Sequence, residues 1–129
     1  MKTIILTLII AICIPAMAFG GQWEGSIQGL SCAMHGQVCP TGMEDPYIAI
    51  ENNYVLYTGK DTWFLLSNLS KGVMVRHLNE PVRVIGTKNG KHQAIDVDEL
   101  QTQKDGEWQT AWSKAMQKEV DRLVETWGM

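Results

Sequence analysis

Positive charge in excess is the first thing this chain lacks. Eleven Lys and Arg stand against 14 Asp and Glu, a formal net charge of −3. The lysines are scattered and form no basic stripe. Nucleic acid is therefore a poor partner, because phosphate binding needs Lys and Arg to displace counterions. After Ile14 there is no second long apolar run, and a membrane span needs about 20 such residues. There is no Cys-x-x-Cys, the spacing that usually serves thiol redox chemistry at a helix N-terminus. Nor is there the Cys-x-x-Cys-His of covalent haem attachment. No phosphate loop and no Ser-His-Asp order is visible, and His35, His77 and His92 are far apart. Asp96, Asp98 and Glu99 lack the glycine and distal glutamate of a calcium loop. Repeats and low-complexity linkers are absent too. These absences point away from an enzyme.

What is present begins with Lys2, then an apolar run from Thr3 to Ile14, then Pro15 and Ala16-Met17-Ala18. That order predicts a signal peptide over residues 1–18, cut after Ala18. A rival reading lipidates Cys13, but Ile12 stands where a small residue is expected. The expected location is periplasmic or secreted, with no membrane span after cleavage. Cys13 leaves with the leader. Cys32 and Cys39 then remain as an even pair in an oxidising compartment.

The body of the chain reads as strands. Gln22 to Leu30 alternates around Trp23, Gly25, Ile27 and Gly29. Residues 31–46, with both cysteines, Pro40, Gly42 and Pro46, read as a loop. Tyr47 to Thr58 reads as a strand interrupted at Asn52-Asn53. Gly59-Lys60-Asp61 is turn chemistry before Thr62 to Ser67, so the two runs form a hairpin. Ser70 is placed to N-cap a short helix reaching His77 or Leu78. Pro81 to Thr87 and His92 to Gln103 are strands around Asn89-Gly90, which favours a two-residue type I′ turn. In the second of these, Ile95 and Val97 share a face.

From Glu107 a 3.6-residue period sets Trp108, Trp112, Ala115, Met116, Val120, Leu123, Val124 and Trp127 on one broad face. The expected terminal helix must bury that face, on its own domain by default and otherwise in an oligomer or on a partner. Glu119 falls within the apolar arc, and its carboxylate needs a partner or an exit to water.

Five strands with a helical insert between the third and fourth predict a mainly β (β+α) domain. The expected form is a five-stranded OB-like barrel over residues 19–106 with an amphipathic C-terminal helix over 107–129. Cys32-x-x-His35-Gly36-x-x-Cys39-Pro40, Tyr54-Val55-Leu56, Phe64-Leu65-Leu66-x-Asn68-Leu69 and Val82-x-Val84-x-Gly86 resemble small exported bacterial OB-fold proteins. The resemblance spans residues 22–103 and implies the fold, not an activity. The periplasmic OB-like haem chaperone attaches haem at His-x-x-x-Tyr, and none of the three histidines has a tyrosine four residues on.

The loop SCAMHGQVCP admits three readings. The first is a disulfide between Cys32 and Cys39, closing a small ring worth about 2.5 kcal/mol by chain entropy. The second is a copper or zinc site made by Cys32, His35 and Cys39. Met34 and Met43 are nearby thioethers, and Glu44 or Asp45 is a fourth ligand. The third is a reactive thiol, which the wide spacing and the absence of a following helix oppose. Trp23, Tyr57 and Trp63 are candidates for a stacking face of the OB type. Together these predict a non-enzymatic binding or accessory module that meets an envelope protein or a small ligand, with no resident cofactor in the first reading.

Overall fold

The structure, a computed structural model, describes residues 20–128. The leader expected over residues 1–18 lies outside them. Strand β1 (Gly21–Gly29) is followed by two short helices, α1 (Leu30–Met34) and α2 (Glu44–Ile50). Strands β2 (Tyr54–Gly59) and β3 (Thr62–Leu66) form a hairpin, and α3 (Lys71–Val75) leads to β4 (Pro81–Lys88). Then come β5 (Ala94–Lys104), β6 (Glu107–Ser113) and α4 (Lys114–Trp127). The protein is thus mainly β, with a C-terminal helix. Its six strands lie in the order β3-β2-β1-β4-β5-β6, antiparallel between neighbours.

One further pairing joins β3 to β5 in parallel, Leu65 beside Ala94 and Leu66 beside Ile95. The carboxamide of Asn68 extends it, accepting from the Val97 N–H at 2.8 Å and donating to the Val97 carbonyl at 2.7 Å. One face of the sheet forms the core. Ile27 pairs with Leu56 and Leu56 with Phe64, so the three share a face. Val82, Val84, Ile95, Val97 and Leu100 join them, each fully buried. Period-2 alternation is the cause: Val82 and Val84 in β4 and Ile95 and Val97 in β5 turn inward, and the register shift between the two strands then brings Leu100 to the same face.

Four expectations need correction. Residues 31–46 are not all loop, and the strand expected from Tyr47 begins at Tyr54. Glu44 and Asp45 occupy the first turn of α2, where carboxylates suit the helix dipole. Pro46 is tolerated there because that turn's N–H groups have no intrahelical partner. The Asn89-Gly90 turn is not type I′, since neither residue has positive φ. The Gln93 carbonyl accepts the Leu65 N–H at 2.8 Å, which draws the start of β5 toward β3 and lengthens the β4–β5 connection. The left-handed pairs are Lys60-Asp61 and Asp105-Gly106.

The fourth correction concerns the C-terminus. The expected helix from Glu107 is a strand first, so there are six strands and not five. Asp105-Gly106 turns the chain back, and β6 pairs with β5 through Trp112 beside Leu100. The helix starts only at Lys114, where the Ser113 side chain accepts the Met116 N–H. Trp112 is buried, but α4 has no buried residue. Glu119 reaches solvent and pairs with Arg122 at 2.6 Å. At the other cap, Ser70 accepts the Val73 N–H as its position suggests, although α3 stops at Val75.

The pairing of β4 with β5 shifts register between Ile85 and Gly86. A Cβ on Gly86 would stand 2.2 Å from the Asp96 carbonyl oxygen, a backbone atom that cannot swing aside. Gly86→Ala should therefore cost about 2 kcal/mol or more in urea unfolding at unchanged m-value. Gly90→Ala, whose Cβ meets open space, should change stability by less than about 0.5 kcal/mol. Equal midpoints for the two variants would refute the pinch at β4–β5.

Candidate functional site

The cysteine loop is tied to the end of β1 by two groups. Gln28 points away from the core, yet is 1% exposed because the loop folds back over it. A buried carboxamide must be hydrogen-bonded to avoid a desolvation cost. Its Oε1 accepts the Cys39 N–H at 2.5 Å, and its Nε2 donates to Ser26 Oγ at 2.9 Å. The next residue, Gly29, donates its N–H to Cys39 Sγ at 3.1 Å. Cys39 is buried, whereas Cys32, on α1, is half-buried. Their sulfurs stand 3.9 Å apart, close neighbours beyond bonding distance.

Helix α2 braces the pair from the side. Cys32 Sγ donates to Tyr47 Oη at 3.2 Å, and Tyr47 Oη donates to Glu51 Oε2 at 3.0 Å. Glu51 also accepts the Ser31 N–H at 3.3 Å and the Asn53 N–H at 3.0 Å. One buried carboxylate thus ties α1, α2 and the start of β2 together. The Lys71 ammonium donates to the Ile48 and Glu51 carbonyls, at 3.1 and 2.7 Å, and so caps the C-terminal end of α2.

Ionisation follows from these contacts. Burial pushes the Glu51 carboxyl up, but the Asn53, Ser31 and Tyr47 donors together outweigh it and leave it below its ordinary 4.5. Burial raises the Cys39 thiol, with neighbouring Cys32 adding to the rise against the Gly29 N–H. Burial, with the Cys32 and Glu51 hydrogen bonds, also raises the Tyr47 phenol. At neutral pH the cluster holds a protonated Cys39, a protonated Tyr47 and an ionised Glu51.

The other site residues fall as follows. His35 is exposed, its Nδ1 2.8 Å from the Ser31 carbonyl of its own helical turn. Among the described residues no three His, Cys, Asp or Glu side chains converge to hold a metal ion. Met34 and Met43 are exposed, and Glu44 accepts the Gly42 N–H. Trp23 turns inward with Val84 and packs on Phe64, ring centroids 6.1 Å apart. Tyr57 and Trp63 are direct cross-strand partners and lie on the opposite, outward face, both half-buried. Leu65, two residues from Trp63 on that face, is 41% exposed. The cysteine loop borders this strip: a Cβ on Gly36 would stand 2.2 Å from Asp61 Oδ1 in the β2–β3 turn.

Gln28, Tyr47, Glu51 and Lys71 escape a reading of the sequence alone. Tyr47 and Glu51 are four residues apart, a helical spacing hidden by the strand-like composition of Tyr47-Ile48-Ala49-Ile50. The chain matches no family model, no curated protein and no solved structure.

The Glu51 network sets an acid limit. A carboxyl whose folded pKa lies below its unfolded value contributes stability that is complete above the unfolded value. That contribution is lost as pH falls through the folded one. Glu51→Gln should cost about 1–2 kcal/mol at pH 7, the scale of hydrogen bonds to a charged group. The gap between wild type and variant should close as pH falls below about 4.5. Thermal melts from pH 7 to pH 3 measure it, and a gap independent of pH would contradict the ionised network.

Proposed function

We propose that this chain is a non-enzymatic binding module of the periplasm or the secreted space, built on an OB-like five-stranded barrel. Its contact surface is the outward strip of β2 and β3 together with the cysteine loop. Support for the barrel comes from the order of strand pairing. The ladders run from β1 to β2, β3, β5 and β4 and back to β1, with the parallel β3–β5 step closing the ring and β6 added outside it. A closed ring removes the exposed edges of an open meander.

The observation that carries the binding reading is the Tyr57–Trp63 pair. Two aromatic side chains sit side by side on the outer face, half-open, with Leu65 exposed beside them. The core already has its own aromatics, Phe64, Tyr54 and Trp112, so this strip is apolar surface that packing does not require. The partner is an envelope protein or a small ligand with an apolar or stacking face.

In an oxidising compartment the two sulfurs, 3.9 Å apart, join into a disulfide by exchange with an oxidised dithiol, which is reduced as it takes up the two thiol hydrogens, and Cys32 gives up its donation to Tyr47. The bond holds the loop beside the strip and contributes roughly 2.5 kcal/mol. Protein recovered from its own compartment should have an intact mass lighter by the two thiol hydrogens. Cys32→Ser/Cys39→Ser should lower stability by about 2–3 kcal/mol. For binding, an envelope extract is passed over immobilised wild type and over Tyr57→Ala/Trp63→Ala. Species held by wild type and lost by the folded variant support the strip as the contact surface. Equal retention by both would remove it.

A further inference from the structure

The cysteine segment carries exposed apolar side chains that neither the core nor the β2–β3 strip uses. Met34, Val38, Met43 and Ile50 are 57–76% exposed, all within residues 34–50. Exposed apolar side chains gathered on one segment mark a contact with another protein. The two sulfurs of the segment are not equally open. Cys39 is 1% exposed and is held at the end of β1 by Gln28 and Gly29, while Cys32 on α1 is half-buried. Oxidation of the pair needs a disulfide from outside, and attack on that disulfide needs a sulfur that the oxidant can reach.

We propose that Cys32 is the entry sulfur for this oxidation, and that the oxidant is a protein bearing an oxidised dithiol, docked on the apolar side chains of Met34, Val38 and Met43. This order of steps presupposes the disulfide proposed for the loop. Cys32 gives up its hydrogen bond to Tyr47, and its sulfur attacks one sulfur of the partner's disulfide. A bond between the two proteins forms and the partner's S–S bond breaks. The electron pair goes to the departing partner sulfur, which takes the Cys32 proton. Cys39 then attacks the Cys32 sulfur from its place 3.9 Å away. The Cys32–Cys39 bond forms, the bond between the proteins breaks, and the second partner sulfur leaves with the Cys39 proton. The chain has lost two electrons, and the partner's disulfide is now a dithiol. The Gly29 N–H, 3.1 Å from Cys39 Sγ, supports the charge that gathers on that sulfur in the second step. The reverse order would bring an outside disulfide to a sulfur that the loop covers. A small oxidant has no use for the apolar side chains around the loop, whereas a protein does.

To test this, the exported chain is purified, reduced, mixed with excess oxidised protein disulfide isomerase, quenched with acid at intervals and mapped by peptide mass. Adducts on the wild-type chain should sit on Cys32, and the end product should be lighter than the dithiol by two hydrogens. Cys39→Ser should hold the adduct on Cys32, while folded Cys32→Ser should form none until urea opens the loop. Met34→Gln/Val38→Gln/Met43→Gln changes exposed positions only. It should slow the reaction with the isomerase about tenfold and that with oxidised glutathione by less than about twofold. Adducts on Cys39, or on both sulfurs alike, would overturn entry through Cys32 and leave the disulfide itself standing. A wild-type chain that keeps the dithiol mass in excess oxidant would remove the disulfide as well. An unchanged rate with the isomerase in the triple variant, or equal slowing with both oxidants, would overturn docking on these side chains.

Discussion

The side-chain carbonyl of Gln28 accepts the backbone N–H of Cys39 while the N–H of Gly29 meets the Cys39 sulfur, both inside the protein. Two consecutive residues of a central strand thereby hold a residue ten positions away at the strand's end. Strand β1 is paired on both sides, with β2 and with β4, so whatever it holds inherits the rigidity of the sheet. If this anchorage is loose, α1 and Cys32 are not placed, Tyr47 loses its sulfur contact, and the loop ceases to be a fixed border to Tyr57 and Trp63. Buried polar contacts of this sort are costly when half-satisfied and specific when complete. Here the carboxamide of Gln28 uses both its ends.

Around that anchor the chain separates two jobs. The inward rows of β1 to β5 supply a core of branched aliphatic side chains that carries stability without chemistry. The outward surface near the cysteines collects the polar and aromatic residues that the core does not need. Glu51 is the most constrained of them. It is nearly buried, ionised and shared among three donors, one of which is the tyrosine that also touches Cys32. Cys39 is buried, and that burial, with Cys32 beside it, raises its thiol above the ordinary value.

The inward alternation of β4 and β5, the Ser70 cap and the β2–β3 hairpin are legible in the sequence because each is set by near neighbours. The C-terminal segment misleads for a definite reason. Trp108 and Trp112 are four apart, and four residues satisfy both a helical turn and two strand repeats, so the tryptophans cannot decide between them. Asp105-Gly106 is the signal that does decide, since Asp-Gly is turn chemistry of the first rank. Asn89-Gly90 carries the same chemistry but yields to the pairing of β3 with β5, a contact made from far along the chain. The cysteine loop is visible as a site from Cys32 and Cys39 alone. Its supports are not, because Gln28, Tyr47 and Glu51 meet the cysteines only after the chain has returned on itself.

The most direct test of the anchored loop is native-state hydrogen exchange at the amides of Cys39 and Gly29, read against those of Val84 and Val97. An anchored loop predicts protection at Cys39 and Gly29 within about tenfold of the core amides, and its collapse at Cys39 in Gln28→Ala while Val84 and Val97 stay protected. Exchange of the Cys39 amide at the rate of an open loop in the wild-type protein would contradict the account.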